Sequence, residues 1–244
     1  MGYQSIVGQK GVYELKAVQF TNVSGAAFNI KDLTGDLIGP AYDEDALFVE
    51  TAPTLMVREN GGYTYYYYLS DGAVDADGEY IPGWADVGGN PLPDEGVEIP
   101  AGTAFWFLEQ SAESSTLTIP GAVLSDVSCK MDFKSGYTLA ASPYPVSVAF
   151  SEIEFTGLTG PAYDEDANFV ETAPTMMVRE NGGYTYYYYL SDGAINAGGE
   201  YIPGWADVGG NPLDDYSAKV IETAGAFWIY IPESASPFSA TFSL

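Results

Sequence analysis

Residues 54–69 read TLMVRENGGYTYYYYL, and residues 175–190 repeat this stretch as TMMVRENGGYTYYYYL. Asn-Gly between two runs of β-forming residues is the strongest short-range signal for a hairpin, because its turn needs residues that tolerate positive φ. Alternate residues of a strand face the same side, so each copy carries tyrosines on both faces of its second strand. Which of these tyrosines are exposed depends on whether the turn has two or three residues, because a one-residue slip changes the cross-strand partners. With a two-residue Asn60-Gly61 turn, Arg58 lies opposite Tyr63 and can stack on its ring. The stretch therefore predicts a tyrosine-rich hairpin that is present twice.

The repeat extends far beyond the hairpin. Residues 39–92 and 160–213 differ at only five positions, and weaker similarity continues on both sides. A chain of 244 residues is long enough for two domains of about 120 residues, each able to bury a core. We therefore predict one domain at residues 1–122 and a second at residues 125–244, joined by a short linker.

The residue types favour β-structure throughout. The chain has 28 glycines and 15 prolines, which punctuate short runs rich in tyrosine, valine, threonine and phenylalanine. Pro82-Gly83 predicts one turn, and residues 100–102 predict another ahead of an apolar strand. Many short strands between turns are typical of sandwiches and small barrels. The predicted fold class is all-β, with two tandem homologous β-sandwich or small β-barrel domains.

The charge balance excludes whole classes of partner. Eight basic residues stand against 34 acidic ones, which gives a formal net charge of −26. Nucleic acids and anionic lipids are bound mainly by basic side chains, so neither is an expected partner. No apolar run approaches the roughly 20 residues that span a bilayer, so we expect no membrane insertion.

The composition also argues against catalysis. The chain has no histidine, which is the commonest general base. Paired carboxylates hydrolyse glycosides in many enzymes, but no residue here stands out as the acid or as the base. A glycosidase-like enzyme is therefore the weakest functional hypothesis, and we predict a protein without enzymatic activity.

The tyrosine rows are the first candidate site. Exposed rings suit a protein interface or sugar stacking, and an aromatic ladder that only stabilises the sheet is the structural alternative. The candidate interface or ligand platform comprises Arg58, Tyr63, Tyr65, Tyr67 and Trp84 in the first copy, and Arg179, Tyr184, Tyr186, Tyr188 and Trp205 in the second.

An acidic triplet is the second candidate site. Three adjacent carboxylates in a loop are able to coordinate calcium, which takes six to eight oxygen ligands, and a solvated acidic loop is the alternative. No other cofactor is predicted. The candidate ligands are Asp43, Glu44 and Asp45, and their counterparts Asp164, Glu165 and Asp166.

Several short motifs resemble a known kind of module. Residues 136–145 read GYTLAASPYP, a Gly-Trp pair follows the second tyrosine strand at residues 204–205, and residues 100–106 read PAGTAFW. This order resembles β-rich repeat modules of secreted and surface proteins in Verrucomicrobia, Planctomycetes and related bacteria. The resemblance implies an extracellular or cell-surface protein without enzymatic activity.

Together these features predict a structural protein that polymerises with itself into a filament, tube or layer. Strands at residues 3–7 and 238–243 are the segments that we expect to meet other chains, because sheet edges near termini favour strand addition. The alternative is a tandem carbohydrate-binding protein that binds glycans on its tyrosine-rich strands and gains avidity from two sites.

Overall fold

The protein folds into two compact units. The computed structural model describes residues 2–21, 27–43, 45, 47–59, 62–74, 80–93, 96–124, 128–164, 166, 168–180, 183–195, 201–211, 213, 220–223 and 225–243. The first unit comprises Met1–Ser125 together with Pro143–Pro145, and the second comprises Asp126–Ser142 and Val146–Leu244. Residues 143–145 therefore group with the first unit, although the sequence placed them in the second domain.

Strands dominate the first unit, and two short 3-10 helices, Ile30–Asp32 and Leu47–Glu50, interrupt them. The strands are β1 (Gly2–Gln9), β2 (Tyr13–Ala17), β3 (Phe28–Asn29), β4 (Thr34–Gly35), β5 (Thr54–Glu59), β6 (Gly62–Val74), β7 (Tyr80–Ala85), β8 (Glu98–Ile99), β9 (Ala104–Leu108) and β10 (Ser114–Gly121).

The described strands of the first unit form three sheets. Their strand orders are β2-β9-β5-β6-β7, β1-β10-β4 and β3-β8. Phe105, Phe107 and Leu55 of the five-stranded sheet belong to one buried cluster with Ile6 of β1 and Leu117 of β10. Two sheets that share a core form a sandwich, and the five-stranded sheet stays open between β2 and β7. The all-β prediction is confirmed, and of its two architectures the structure shows a sandwich.

The described part of the second unit contains two short helices and another set of strands. A 3-10 helix spans Phe150–Glu152, and helix α1 spans Phe169–Thr172. The strands are β11 (Ser128–Phe133), β12 (Gly136–Ala141), β13 (Val148–Ala149), β14 (Glu154–Thr156), β15 (Thr175–Glu180), β16 (Gly183–Ile195), β17 (Tyr201–Ala206), β18 (Val220–Ile221), β19 (Ala226–Ile231) and β20 (Phe238–Ser243).

The sheets of the second unit follow the orders β12-β19-β15-β16-β17, β11-β20-β14 and β13-β18. Phe227 of β19 and Phe242 of β20 pack together, with their ring centroids 6.3 Å apart. Both rings are buried, so the core of this unit also lies between its five-stranded and three-stranded sheets. The five-stranded sheets of the two units have equivalent strand orders, with β12, β19, β15, β16 and β17 in the places of β2, β9, β5, β6 and β7.

Two local predictions were wrong. Pro82-Gly83 lies inside β7, which is an edge strand, and edges tolerate proline because no ladder bond is needed on the open side. Strand β20 is not a free edge, because it pairs with β11 on one side and with β14 on the other. Of the two segments predicted to meet other chains, only β1 lies at the edge of its sheet.

Candidate binding face

The hairpin register decides which tyrosines face outward. Arg58 pairs with Tyr63, and Glu59 pairs with Gly62, as the two-residue turn predicts. The turn residues themselves, Asn60 and Gly61, lie outside the described residues. Tyr66 is buried in the core, so the row that contains Tyr63 and Tyr65 occupies the outer face of the sheet.

The outer face of the five-stranded sheet is aromatic. In one cross-strand row Leu15, Trp106, Met56 and Tyr65 are direct neighbours on four consecutive strands. Tyr65 keeps 43% of its surface exposed. Directly opposite side chains on one face of a sheet are in contact range, so this row forms a continuous apolar layer in which Leu15 and Met56 are buried and Tyr65 is exposed.

Trp106 is held in place by two other aromatic residues. Its indole Nε1 donates a hydrogen bond to the Tyr63 hydroxyl at 3.2 Å. The Tyr13 ring meets the indole edge-on, with a centroid distance of 6.3 Å and an interplanar angle of 86°. The hydrogen bond joins β9 to β6 across β5, and together with the Tyr13 contact it fixes the rings of β2, β9 and β6 relative to one another.

Arg58 adds a cationic group to this surface. Its guanidinium carbon lies 5.8 Å from the centroid of the Tyr63 ring, which is within cation–π range. The name aromatic face is used below for these residues of the first unit: Tyr13, Leu15, Met56, Arg58, Tyr63, Tyr65 and Trp106.

The second unit carries the corresponding residues on its own sheet. Trp228 Nε1 donates to the Tyr184 hydroxyl at 3.3 Å, and Tyr137 meets the indole at 84°. Tyr186 is 46% exposed and Tyr137 is 56% exposed. The aromatic face of the second unit consists of Tyr137, Leu139, Met177, Arg179, Tyr184, Tyr186 and Trp228.

Four residues predicted for the platform are buried, which corrects the sequence analysis. Tyr67 shares the outer face but is covered by Phe48, whose ring centroid lies 5.6 Å away. Tyr188 is covered in the same way by Phe169 of α1. Trp84 and Trp205 are the other two, and each lies on the inner face of its sheet.

Burial also changes the acidity of the covered phenols. Desolvation raises the pKa of Tyr67 above its ordinary value, and the neighbouring Tyr65 raises that pKa further. The pKa of Tyr188 is raised by the same two causes, with Tyr186 as the neighbour. Both phenols are therefore neutral wherever an exposed tyrosine is neutral.

Strands β2 and β12 are identical in sequence on one face and differ on the other. Their outward positions are identical: Tyr13 and Tyr137, Leu15 and Leu139, Ala17 and Ala141. Their opposite positions differ: Glu14 and Thr138, Lys16 and Ala140. The retained side of these strands is therefore the outward one, on which Tyr13 and Tyr137 are exposed whereas Leu15, Ala17 and Ala141 are buried. Tyr13, Trp106 and their counterparts were missed as site residues, although their identity between diverged segments signals them.

The first aspartate of each acidic triplet accepts hydrogen bonds from the backbone. The two Asp43 carboxylate oxygens accept hydrogen bonds from the Leu47 and Phe48 amides, at 2.8 and 3.0 Å. Asp164 accepts in the same way from Asn168 and Phe169, at 2.9 and 3.1 Å. Each aspartate thus accepts hydrogen bonds from backbone amides at the start of the short helix that covers the buried tyrosine.

The calcium hypothesis stays a prediction. Asp45 and Asp166 are exposed, whereas Glu44 and Glu165 lie outside the described residues. Within the residues that the structure does describe, no three His, Cys, Asp or Glu side chains come together as a metal-binding group.

Comparison of this chain with protein-family models, with curated proteins and with solved structures gave no match. Over the described part of the chain, no helix has the length and apolarity needed to cross a bilayer.

Proposed function

We propose that this protein is a non-enzymatic structural protein of the bacterial surface or extracellular space, which assembles with itself into a filament, tube or layer. The observation that carries the proposal is the aromatic face, which occurs once in each unit. It is retained in strands whose opposite side chains have diverged. Retention of an outward surface indicates that something binds there.

The composition of the aromatic face favours a protein partner. Tyrosine, tryptophan, methionine and arginine are the residues enriched in the centres of protein interfaces, whereas lysine, aspartate and glutamate are depleted. None of the seven residues that define the face in the first unit is acidic. In a chain of net charge −26, this surface has the character of an interface centre.

The charge distribution favours another copy as that partner. Arg58 and Arg179 are the only arginines of the chain, and each lies on an aromatic face. The 34 acidic residues make the rest of the surface complementary to such a face. A contact between two different patches of identical chains is heterologous, and such contacts build open filaments or layers when they do not close into rings.

The proposed location outside the cell rests on the resemblance of the short motifs at residues 100–106 and 136–145 to modules of secreted and surface proteins. The low cysteine content is compatible with that location but does not require it.

Size-exclusion chromatography with light scattering, followed by electron microscopy, tests the proposal. We expect the wild-type protein to form concentration-dependent assemblies, and Tyr65→Ser combined with Tyr186→Ser to weaken them. Val87→Ser combined with Val208→Ser is the matched control, because these side chains are exposed in both units but lie outside the sheets. A wild-type protein that stays monomeric at high concentration, with and without calcium, would refute the proposal.

The second candidate function is tandem carbohydrate binding. It is favoured by the exposed rings of Tyr13 and Tyr65, and of Tyr137 and Tyr186, which are available for stacking on sugars. A glycan array with the wild-type protein and the tyrosine double variant separates the two candidates. Glycan binding that is lost in the variant, together with a monomeric wild type, would favour this second function.

A further inference from the structure

Strand β1 is a long sheet edge without the usual protection. It pairs with β10 along its whole length, from Gly2 to Gln9. In the described part of the chain no strand lies on its other side. Its sequence GYQSIVGQ contains no charged residue and no proline, although 17% of the chain is charged. Native proteins normally blunt such edges with charges, prolines or bulges.

The second unit provides a direct comparison. Strand β11 occupies the same place in the order β11-β20-β14 that β1 occupies in β1-β10-β4. It carries Lys130 and Asp132, whose side chains are 62% and 73% exposed. One edge is thus protected by charges and the equivalent edge is not, so the open edge of β1 is not a general property of this fold.

We propose that β1 pairs antiparallel with β1 of a second copy around a twofold axis, which joins two three-stranded sheets into one six-stranded sheet. The inference rests on the proposed self-assembly in taking another copy as the partner. It uses a surface different from the aromatic face, so the two contacts are separable by experiment.

The sequence of β1 is close to self-complementary about Ser5. An antiparallel pair centred there places Tyr3 opposite Val7 of the second copy, Gly2 opposite Gly8, and Ser5 opposite Ser5. Tyr3 and Val7 are 73% and 58% exposed, and aromatic residues opposite β-branched ones form favourable cross-strand pairs. The axis generates this pair twice.

Electrostatic repulsion between copies also favours contact at this uncharged edge. Two chains that each carry a net charge of −26 repel one another, so they approach best where the surface is locally uncharged. Residues 2–9 offer eight consecutive uncharged positions. Backbone hydrogen bonds along the new strand pair then supply attraction that does not depend on side-chain charge.

The test uses the full chain carrying Tyr65→Ser and Tyr186→Ser, which weakens any contact made through the aromatic faces. In this background, analytical ultracentrifugation is expected to show a dimer. Adding Ser5→Lys is expected to weaken dimerisation at least tenfold, because two lysines then face each other across the axis. Ser128→Lys, at an exposed position of β11, is the matched control and should leave the dimer unchanged.

A charge-swap experiment separates loss of pairing from loss of folding. Ser5→Glu alone should also weaken the dimer, whereas an equimolar mixture of Ser5→Lys and Ser5→Glu chains should form heterodimers. Restoration by mixing supports the twofold contact at Ser5. A monomeric background protein, or a dimer that tolerates both single substitutions, would overturn it. Larger assemblies of the wild-type protein, together with a monomeric background protein, would leave the proposed function standing and refute only this inference.

Discussion

Phe48→Ala is expected to uncover Tyr67 and weaken the first unit. The Phe48 ring is 1% exposed and meets Tyr67 edge-on at 76°. It forms a small cluster with Ala52, Leu69 and Ala85 on the outer side of the sheet. Truncation of a buried phenylalanine typically costs about 3–5 kcal/mol. We expect about 3 kcal/mol here, at the low end of that range, because a small cluster near the surface relaxes and admits water.

Hydrogen exchange followed by mass spectrometry measures this loss in the intact chain. A loss of about 3 kcal/mol corresponds to a roughly hundredfold faster exchange of the β5 and β6 amides. Leu47→Ala is the matched control, because Leu47 lies in the same 3-10 helix but is 63% exposed, so its truncation should cost less than about 0.5 kcal/mol. The β16 amides of the second unit serve as an internal reference.

An independent readout comes from the acidity of Tyr67. Burial is the main cause of its raised pKa, so removal of Phe48 should return that pKa toward the ordinary value of 10.0. Ultraviolet titration of the phenolate reports this change. Equal effects of Phe48→Ala and Leu47→Ala on exchange, together with an unchanged titration, would refute the assignment of Phe48 as the cover of Tyr67.

Three further predictions concern pH, the hydrogen bonds of Asp43 and calcium. Burial raises the pKa of Tyr67 and Tyr188 above the value in the unfolded chain. The stability that these phenols contribute is therefore fully present below about pH 10 and is lost as the pH rises further. Urea midpoints that stay constant above about pH 10 would contradict this prediction. Asp43→Ala should lower the free energy of unfolding by about 1 kcal/mol, because the amides of Leu47 and Phe48 lose their acceptor. Calorimetry with calcium on the same variant tests the metal hypothesis, since binding that survives the substitution excludes Asp43 as a ligand.

Local chemistry made the hairpin predictable. Asn-Gly predicted the hairpin, and strand alternation predicted which tyrosines share a face. The sequence left a two- or a three-residue turn open, and the structure has the register of the two-residue turn, with Arg58 opposite Tyr63. These properties depend only on neighbouring residues, so they can be read without knowledge of the rest of the fold.

The features that could not be predicted from the sequence depend on contacts between segments that are distant along the chain. Alternation placed Tyr67 with Tyr63 and Tyr65, but nothing near Tyr67 shows that Phe48 covers it. Trp84 is buried because its side of β7 faces the core, which depends on how two sheets pack. The role of Trp106 depends on β9 pairing next to β5, and that strand order is a long-range property of the sandwich.

The hydrogen bond from Trp106 to Tyr63 has a consequence for the thermodynamics of recognition. Ordering a flexible side chain during association typically costs about 0.5–1.5 kcal/mol. Here the indole and the phenol are already immobilised by contacts within the sheet. A partner that docks on these rings therefore contacts a rigid surface, because the two side chains lost their conformational entropy when the protein folded. Binding there should show a small unfavourable entropy, and its affinity should depend mainly on how slowly the complex dissociates.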